Sequence, residues 1–366
     1  MSGEAAAGWA GKYAPPLRGW ERGSRYCGGE RDRTSAMKII WMALVMVVAA
    51  WGQPAAGYLE VFGNRRVSPE KILRALSLAP GSPLPKSRVE AEEILESIDG
   101  VVRAHLEAFC CEEGKVVLYI GVQERGQPGL DLRQAPVGTA VLPEAIVSVY
   151  EDFTQTIGRA SPEDLTEDFR AGHSLMTGVA PRALQERFVG LAEVHFEVLR
   201  EVLRDSADED HRAIAAYVLG YAPEKGAIAA DLQQALRDPA AAVRANAARA
   251  LKALAVLAAQ PESKILIRTT WFVEMLNAPA LSDRLEGARA LLTLFDTLSE
   301  QTRAHLKERA VPALTEMAQF RHLPHALPAF LILGKVAGLP DGEVEQAWVE
   351  GEREALLTKV RKALRK

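Results

Sequence analysis

The second half of the chain repeats itself, and this limits its fold more than any other feature. Leu203-Arg-Asp205 recurs as Leu236-Arg-Asp238, and His211-Arg-Ala-Ile-Ala-Ala-Tyr-Val-Leu219 is echoed by Val243-Arg-Ala-Asn-Ala-Ala-Arg-Ala-Leu251. Arg212 and Arg244 are 32 residues apart. Arg284-Leu-Glu-Gly-Ala-Arg-Ala-Leu291 is a third copy 40 residues later, and a looser fourth runs from Val311 to Val336. A period of roughly 30–45 residues with apolar positions at helical spacing describes stacked helix pairs. One such pair cannot bury its apolar face alone, so neighbouring copies must share a core. Composition agrees with a folded chain: 48% of the 366 residues are hydrophobic and 25% charged, which excludes a wholly disordered chain or a polytopic membrane protein. The net charge of −4 and a pI near 6.1 argue against general nucleic-acid binding, which needs a concentrated basic face.

The copies resemble HEAT repeats over residues 190–340. Asp238-Pro239 in the turn, Val243-Arg244 opening the next helix, then Ala247, Ala248 and Leu251 carry the likeness best. The alanines let helices approach closely, and the leucines fill the shared core. The resemblance implies a ladder in which a turn aspartate meets a helix arginine of the neighbouring repeat, with Asp238, Arg212 and Arg244 as inter-repeat structural residues. It also implies a protein-binding surface. An irregular helical bundle is the competing reading.

Upstream the pattern is different. Tyr58 to Asn64 alternates and stops at a Gly-Asn turn, a strand signal. Ser68-Pro69 opens a short helix, and Ser87 to Ile98 forms a second with Val89, Ala91, Ile94, Leu95 and Ile98 on one side. Val101 to Phe109 and Val116 to Glu124 read as strands joined by the turn Glu112-Glu-Gly-Lys115. The order β-α-α-β-β resembles a POTRA domain, the polypeptide-transport module of bacterial envelope proteins. Val61-Phe-Gly-Asn64, Val67-Ser-Pro-Glu70, Leu78-Ala-Pro-Gly81, Ile98-Asp-Gly-Val-Val102 and the closing Val117–Glu124 carry it. The resemblance implies that the second strand is a sheet edge able to recruit an extended polypeptide. Its candidate partner-binding residues are Val102, Arg103, Ala104, His105, Leu106 and Glu107. Arg103, His105 and Glu107 are expected to face water, and the intervening apolar residues to face the helices. The fold class is thus α+β and multidomain, a small POTRA-like unit over 58–124, a linker over 125–141 and an all-α HEAT-like solenoid over 142–366.

The longest apolar run, Ile39 to Ala50, is too short to span a bilayer, which takes about 20 residues. Lys38, Arg33 and Arg31 precede it, and Ala50-Trp51-Gly52 offers small residues at a cleavage position. Residues 37–52 therefore read as a signal peptide cut after Gly52, and 1–36 as a disordered upstream extension. A buried core helix is the alternative. Residues 1–52 hold seven of the 44 basic and four of the 48 acidic residues, so cleavage leaves 37 against 44 and a net charge of −7. The mature chain is expected in the periplasm or cell envelope, with no membrane span. Only Cys110 and Cys111 would remain; neighbours on a strand point to opposite faces, so one buried and one exposed thiol is the plain expectation.

Catalytic patterns are weak. Gly172-His-Ser174 starts like a nucleophile elbow, but Met176 replaces the required glycine. No phosphate loop, calcium loop or Cys-x-x-Cys spacing occurs. The expectation is a non-enzymatic scaffold that binds a protein or polypeptide partner, with no catalytic residue, cofactor or metal. The alternatives are an enzyme or accessory subunit with a site in residues 140–200, and a cytosolic HEAT scaffold.

Overall fold

A computed structural model describes residues 55–161 and 163–364. The expected upstream extension, signal peptide and cleavage point at Gly52 lie outside the described residues.

The first unit is built as its sequence signals require. Strand β1 (Ala56–Phe62) leads to helix α1 (Pro69–Ala75), where the Ser68 hydroxyl accepts from Lys71 N–H and proline takes the first turn. Helix α2 (Arg88–Glu96) is capped in the same way by Ser87. Strands β2 (Val101–Glu112) and β3 (Lys115–Glu124) form a hairpin whose turn residues, Glu113 and Gly114, both have positive φ. The sheet order is β1-β3-β2, with β3 parallel to β1 and antiparallel to β2. Ala104, Leu106, Leu118, Ile120 and Val122 pack under α1 and α2 with Ile72, Ala91 and Leu95. At the end of β3 the buried Glu124 carboxylate accepts from the N–H groups of Arg65, Arg66 and Val67 at 2.8–3.0 Å. Burial alone would push that carboxyl up; the three backbone donors outweigh it and hold it below the ordinary range.

The opposite face of the sheet does not meet water. Phe62, Val117 and Tyr119 belong to the same core as the helical array. The central strand is therefore covered on both sides, which explains the unbroken apolar run Val116–Ile120. Cys110 and Cys111 are bonded to each other and both are exposed, correcting the expected buried and exposed thiols.

The helical part starts with α3 (Glu144–Ile157), a two-residue ladder of β4 (Glu167–Asp168) with β5 (Leu175–Met176), and α4 (Val179–Val194). Next come α5 (Phe196–Asp205), α6 (Glu209–Leu219), α7 (Lys225–Ala235), α8 (Ala241–Ala258), α9 (Thr270–Met275) and α10 (Leu281–Leu294). The chain closes with α11 (Glu300–Arg309), α12 (Val311–Ala318), α13 (Leu323–Val336), α14 (Asp341–Val349) and α15 (Arg353–Leu364). The second helices of successive pairs stack in a row, α6 on α8, α8 on α10, α10 on α13 and α13 on α15. The helical spacing of apolar residues from Ala180 to Asp205 predicts one long helix, but the chain breaks at His195, whose φ of −109° and ψ of 25° leave helical values. The apolar stripe runs through the break, with Ala192 and Leu199 two turns apart, so periodicity alone could not mark it.

The linker is not a free hinge. Gly138 N–H donates to Asp205 O and Gly138 O accepts from Ala207 N–H, at 2.8 and 2.7 Å. Arg133 N–H donates to Arg237 O. Further along the same row of turns, Gly121 of β3 lies against the turn before α10. A Cβ on Gly121 would stand 1.8 Å from the Pro279 carbonyl oxygen, an atom of the backbone that cannot rotate away. Gly121→Val is therefore expected to cost about 1–3 kcal/mol, as overpacking does, and to loosen the sheet from the repeats. Limited trypsin digestion checks this: Arg125 and Arg133 in the linker should be cut sooner than in the unaltered chain, and unchanged protection would show that the contact carries no weight.

Candidate functional site: the arginine ladder and the docked sheet

Three successive repeats present an arginine in the first turn of the second helix. There the side chain lies beside the carbonyls of its own turn and within reach of the next repeat. Arg212 donates through Nη1 to Ser206 O and Ala207 O, and through Nε and Nη2 to the two Asp238 oxygens at 2.9 Å. Arg244 repeats the arrangement: Nη1 bonds Asp238 O and Pro239 O, and Nε and Nη2 reach Asp283 at 2.7–3.0 Å. At the third rung Arg284 donates to Ala278 O, and its acid is Glu316 at 3.0 Å. Asp238 and Asp283 are fully buried. The three residues expected to be structural thus come together, although Arg212 and Arg244 use different aspartates.

Asp238 carries more than its own rung. Arg133 from the linker donates to it at 2.6 Å, and the Ala240 N–H caps it at 2.9 Å. Burial would raise its carboxyl, but the Arg212 and Arg133 guanidinium groups and that N–H hold it below the ordinary range.

The third rung also fixes the sheet. Glu316 accepts from Gly63 N–H at 3.2 Å and pairs with Arg65 at 2.7 Å, while the Arg284 guanidinium lies 4.5 Å over the Phe62 ring. Gly63 has a φ of 79°, which frees its N–H to turn toward Glu316. Around this point Phe62 and Tyr119 stack edge-on against Phe320, and Phe109 meets His322 and His325 at ring distances of 4.4 and 4.6 Å. Glu112 bonds His322 at 2.7 Å and the Tyr119 hydroxyl bonds His325 at 3.0 Å.

The six residues expected to recruit a partner strand are placed differently from the expectation. Only Val102 is exposed. The outward N–H groups of Ala104 and Leu106 donate to Glu96 and Glu92 of α2, at 3.0 and 2.9 Å. That stretch of edge is sealed by the protein's own helix. His105 contacts Glu92 at 2.8 Å and Arg103 donates to Leu130 O. Glu107 accepts from Ser282 N–H and its hydroxyl at the start of α10, where helix N–H groups favour an anion. Of the polar set, Arg103 faces the linker and Glu107 the repeats, while His105 pairs with Glu92 of α2.

The Gly172-His-Ser174 segment supplies a further polar cluster that sequence reasoning did not assemble. The Ser174 hydroxyl donates to Glu167 at 2.7 Å and accepts from Arg249 at 2.9 Å, and Lys252 pairs with Glu167 at 3.2 Å. Burial would raise the Glu167 carboxyl, but the Arg249 and Lys252 charges outweigh it and hold it well below the ordinary range. Ser174 is buried and spent on this network. His173 is pushed down to about 4 by burial and by the charges of Lys225 and Arg182. Among the described residues no group of His, Cys, Asp or Glu side chains is placed to hold a metal ion. No helix among them is long and apolar enough to cross a membrane.

Residues 196–269 match the model for HEAT repeats. The match spans α5 to α8 and the first rung of the ladder. No curated protein and no solved structure matches the chain. HEAT repeats form helical scaffolds that commonly mediate protein interactions, and the array is of that kind.

Two outcomes test this geometry. Asp238→Ala strands Arg212 and Arg133, and removing one partner of a buried pair costs about 3–5 kcal/mol. Arg204→Ala, which breaks the exposed pair with Asp205, should cost under about 1 kcal/mol. Urea unfolding of both variants decides, and equal losses would deny the ladder its role. The second outcome concerns pH. Burial, with the charges of His322 and Arg289, holds the His325 imidazole well below its ordinary value. The unfolded chain therefore binds a proton near pH 6.5 that the folded one refuses, so stability is complete above that pH and falls as the solution is acidified below it. Melting temperature should drop from pH 7.5 to 5.5, and His325→Phe should flatten part of that drop; an unchanged slope would mean that His173 or another group sets it.

Proposed function

We propose that the protein is a non-enzymatic scaffold that binds polypeptide partners, exported to the periplasm or cell envelope, with its N-terminal unit a POTRA-like module docked on a HEAT-like array. The observation that supports it most is the ladder with its strap. Buried arginine–acid pairs hold the repeats in fixed order, and the linker and sheet lie along the row of turns, leaving helix faces for recognition. The β-α-α-β-β order, the Glu124 carboxylate closing the loop before α1, and the cationic and apolar residues 38–50 support the envelope reading. Recognition by the helical faces is favoured over strand addition at Val102–Glu107, because an added strand would have to displace Glu92 and Glu96.

Expression in a secreting bacterial host, followed by fractionation and N-terminal sequencing, tests export: a periplasmic chain starting near Gln53 is expected, and a cytosolic chain keeping residues 37–52 would refute it. Cross-linking of the full-length chain in that compartment tests binding. Defined polypeptide partners should be captured by the chain, and their yield should survive Leu106→Pro if the helical faces are used.

A further inference from the structure

The final repeats leave an apolar groove between α10, α13 and α14. Leu292, Leu327, Leu331, Val344, Trp348 and Val349 line it, a shallow depression of about 40 Å³ open on one side. Its floor is fixed. Gly334 lets α13 and α14 approach so closely that a Cβ would stand 2.4 Å from a Val344 methyl, and Phe330 packs on Trp348 at 5.2 Å. Val349 is 74% exposed at the mouth. The rim is acidic. Lys335 stands among Asp341 at 3.0 Å, Asp296 at 3.8 Å and Glu345 in the lining, so one cation faces three carboxylates. Asp296 and Asp341 keep much of their surface in water and can meet a second cation.

We propose that this groove is the docking site for a short amphipathic helix of a partner polypeptide, one that inserts a single aliphatic side chain and sets Lys or Arg against Asp341, Glu345 and Asp296. The proposal rests on the scaffold reading and names where and what the scaffold binds. The apolar walls select an aliphatic anchor side chain, and the exposed Val349 beside them offers apolar surface to the rest of the helix. The excess of carboxylates over Lys335 selects a cationic flank and rejects an acidic one, which is how charge supplies specificity. The ladder upstream keeps the walls in place before a partner arrives, so little ordering opposes binding.

The experiment uses the full-length protein and fluorescein-labelled peptides of 14 residues, one built of Leu and Lys with an amphipathic pattern and one with Glu in place of Lys. Fluorescence anisotropy should show the Lys peptide binding at least tenfold more tightly than the Glu peptide, with affinity falling as salt rises. Glu345→Lys should weaken the Lys peptide fivefold or more and reduce the salt dependence. Val349→Asp, which adds favourable charge but removes apolar surface, should also weaken it. Melting temperatures near that of the unaltered chain show that both variants fold. Equal binding by the variants, preference for the Glu peptide, saturable binding of an uncharged apolar dye that the Lys peptide does not displace, or concentration-dependent self-association through Val349 would each overturn the proposal. Partner capture that persists in Glu345→Lys and Val349→Asp would sink the groove while leaving the scaffold reading intact; loss of all capture by the unaltered chain would sink the scaffold reading itself.

Discussion

One buried carboxylate organises much of this molecule. Asp238 receives the guanidinium of Arg212 from the preceding repeat, that of Arg133 from the strap, and the Ala240 N–H of its own turn. Charges removed from water are tolerated only when paired and hydrogen-bonded. The rung is therefore a demand for geometry as much as a source of stability: each repeat must sit where its arginine finds the next acid. The same logic passes to Asp283 and then to Glu316. At Glu316 it changes partners, since that carboxylate also takes Gly63 N–H and Arg65 from the sheet. Stacking of repeats and docking of the N-terminal unit thus share one set of ion pairs.

The chain direction gives this arrangement its form. Residues 138, 133 and 121 meet the turns near 205, 237 and 279, so the first part of the protein runs backward along the array that it precedes. The turn edge offers free helix N–H groups and turn carbonyls, and a polar strap with arginine and glutamate side chains satisfies them. Glu107 at the start of α10 is one instance, and Arg133 on Leu203 O and Arg204 O is another.

Parts of this were legible in the sequence because spacing encodes them. The Asp-Pro turn followed by Val-Arg marked Arg212, Asp238 and Arg244 but not the acids Asp283 and Glu316, and the alternating runs with serine caps marked every element of the small unit. Which surface each face would meet was not legible. Alternation in Val102–Glu107 separates two faces of a strand, but a polar face suits water and a polar row of helix ends equally well. The Ser282 partner of Glu107 lies far away in sequence, and Leu130 and Glu92 sit on other elements, so no local pattern announced them. The last helix pair, α14 and α15, falls inside the all-α region expected over 142–366 but has no Val-Arg opening to mark it as a repeat copy.

The acidic side chains of α2 bear on how the proposed scaffold would meet another polypeptide. Sheet edges invite added strands through unpaired N–H groups. Here Glu92 and Glu96 occupy two of those groups, and hydrogen bonds to charged groups are worth about 1.5–3 kcal/mol each. An incoming backbone would replace them with neutral bonds of about half that strength while returning two carboxylates to solvent beside its own carbonyls. Side-chain recognition meets no such opposition. A groove already shaped by close helix packing needs only to release water from apolar walls, and its carboxylates are in place to choose the sign of the partner's charge. For the proposed scaffold the physical advantage therefore lies with the helical faces, which the ladder holds in place.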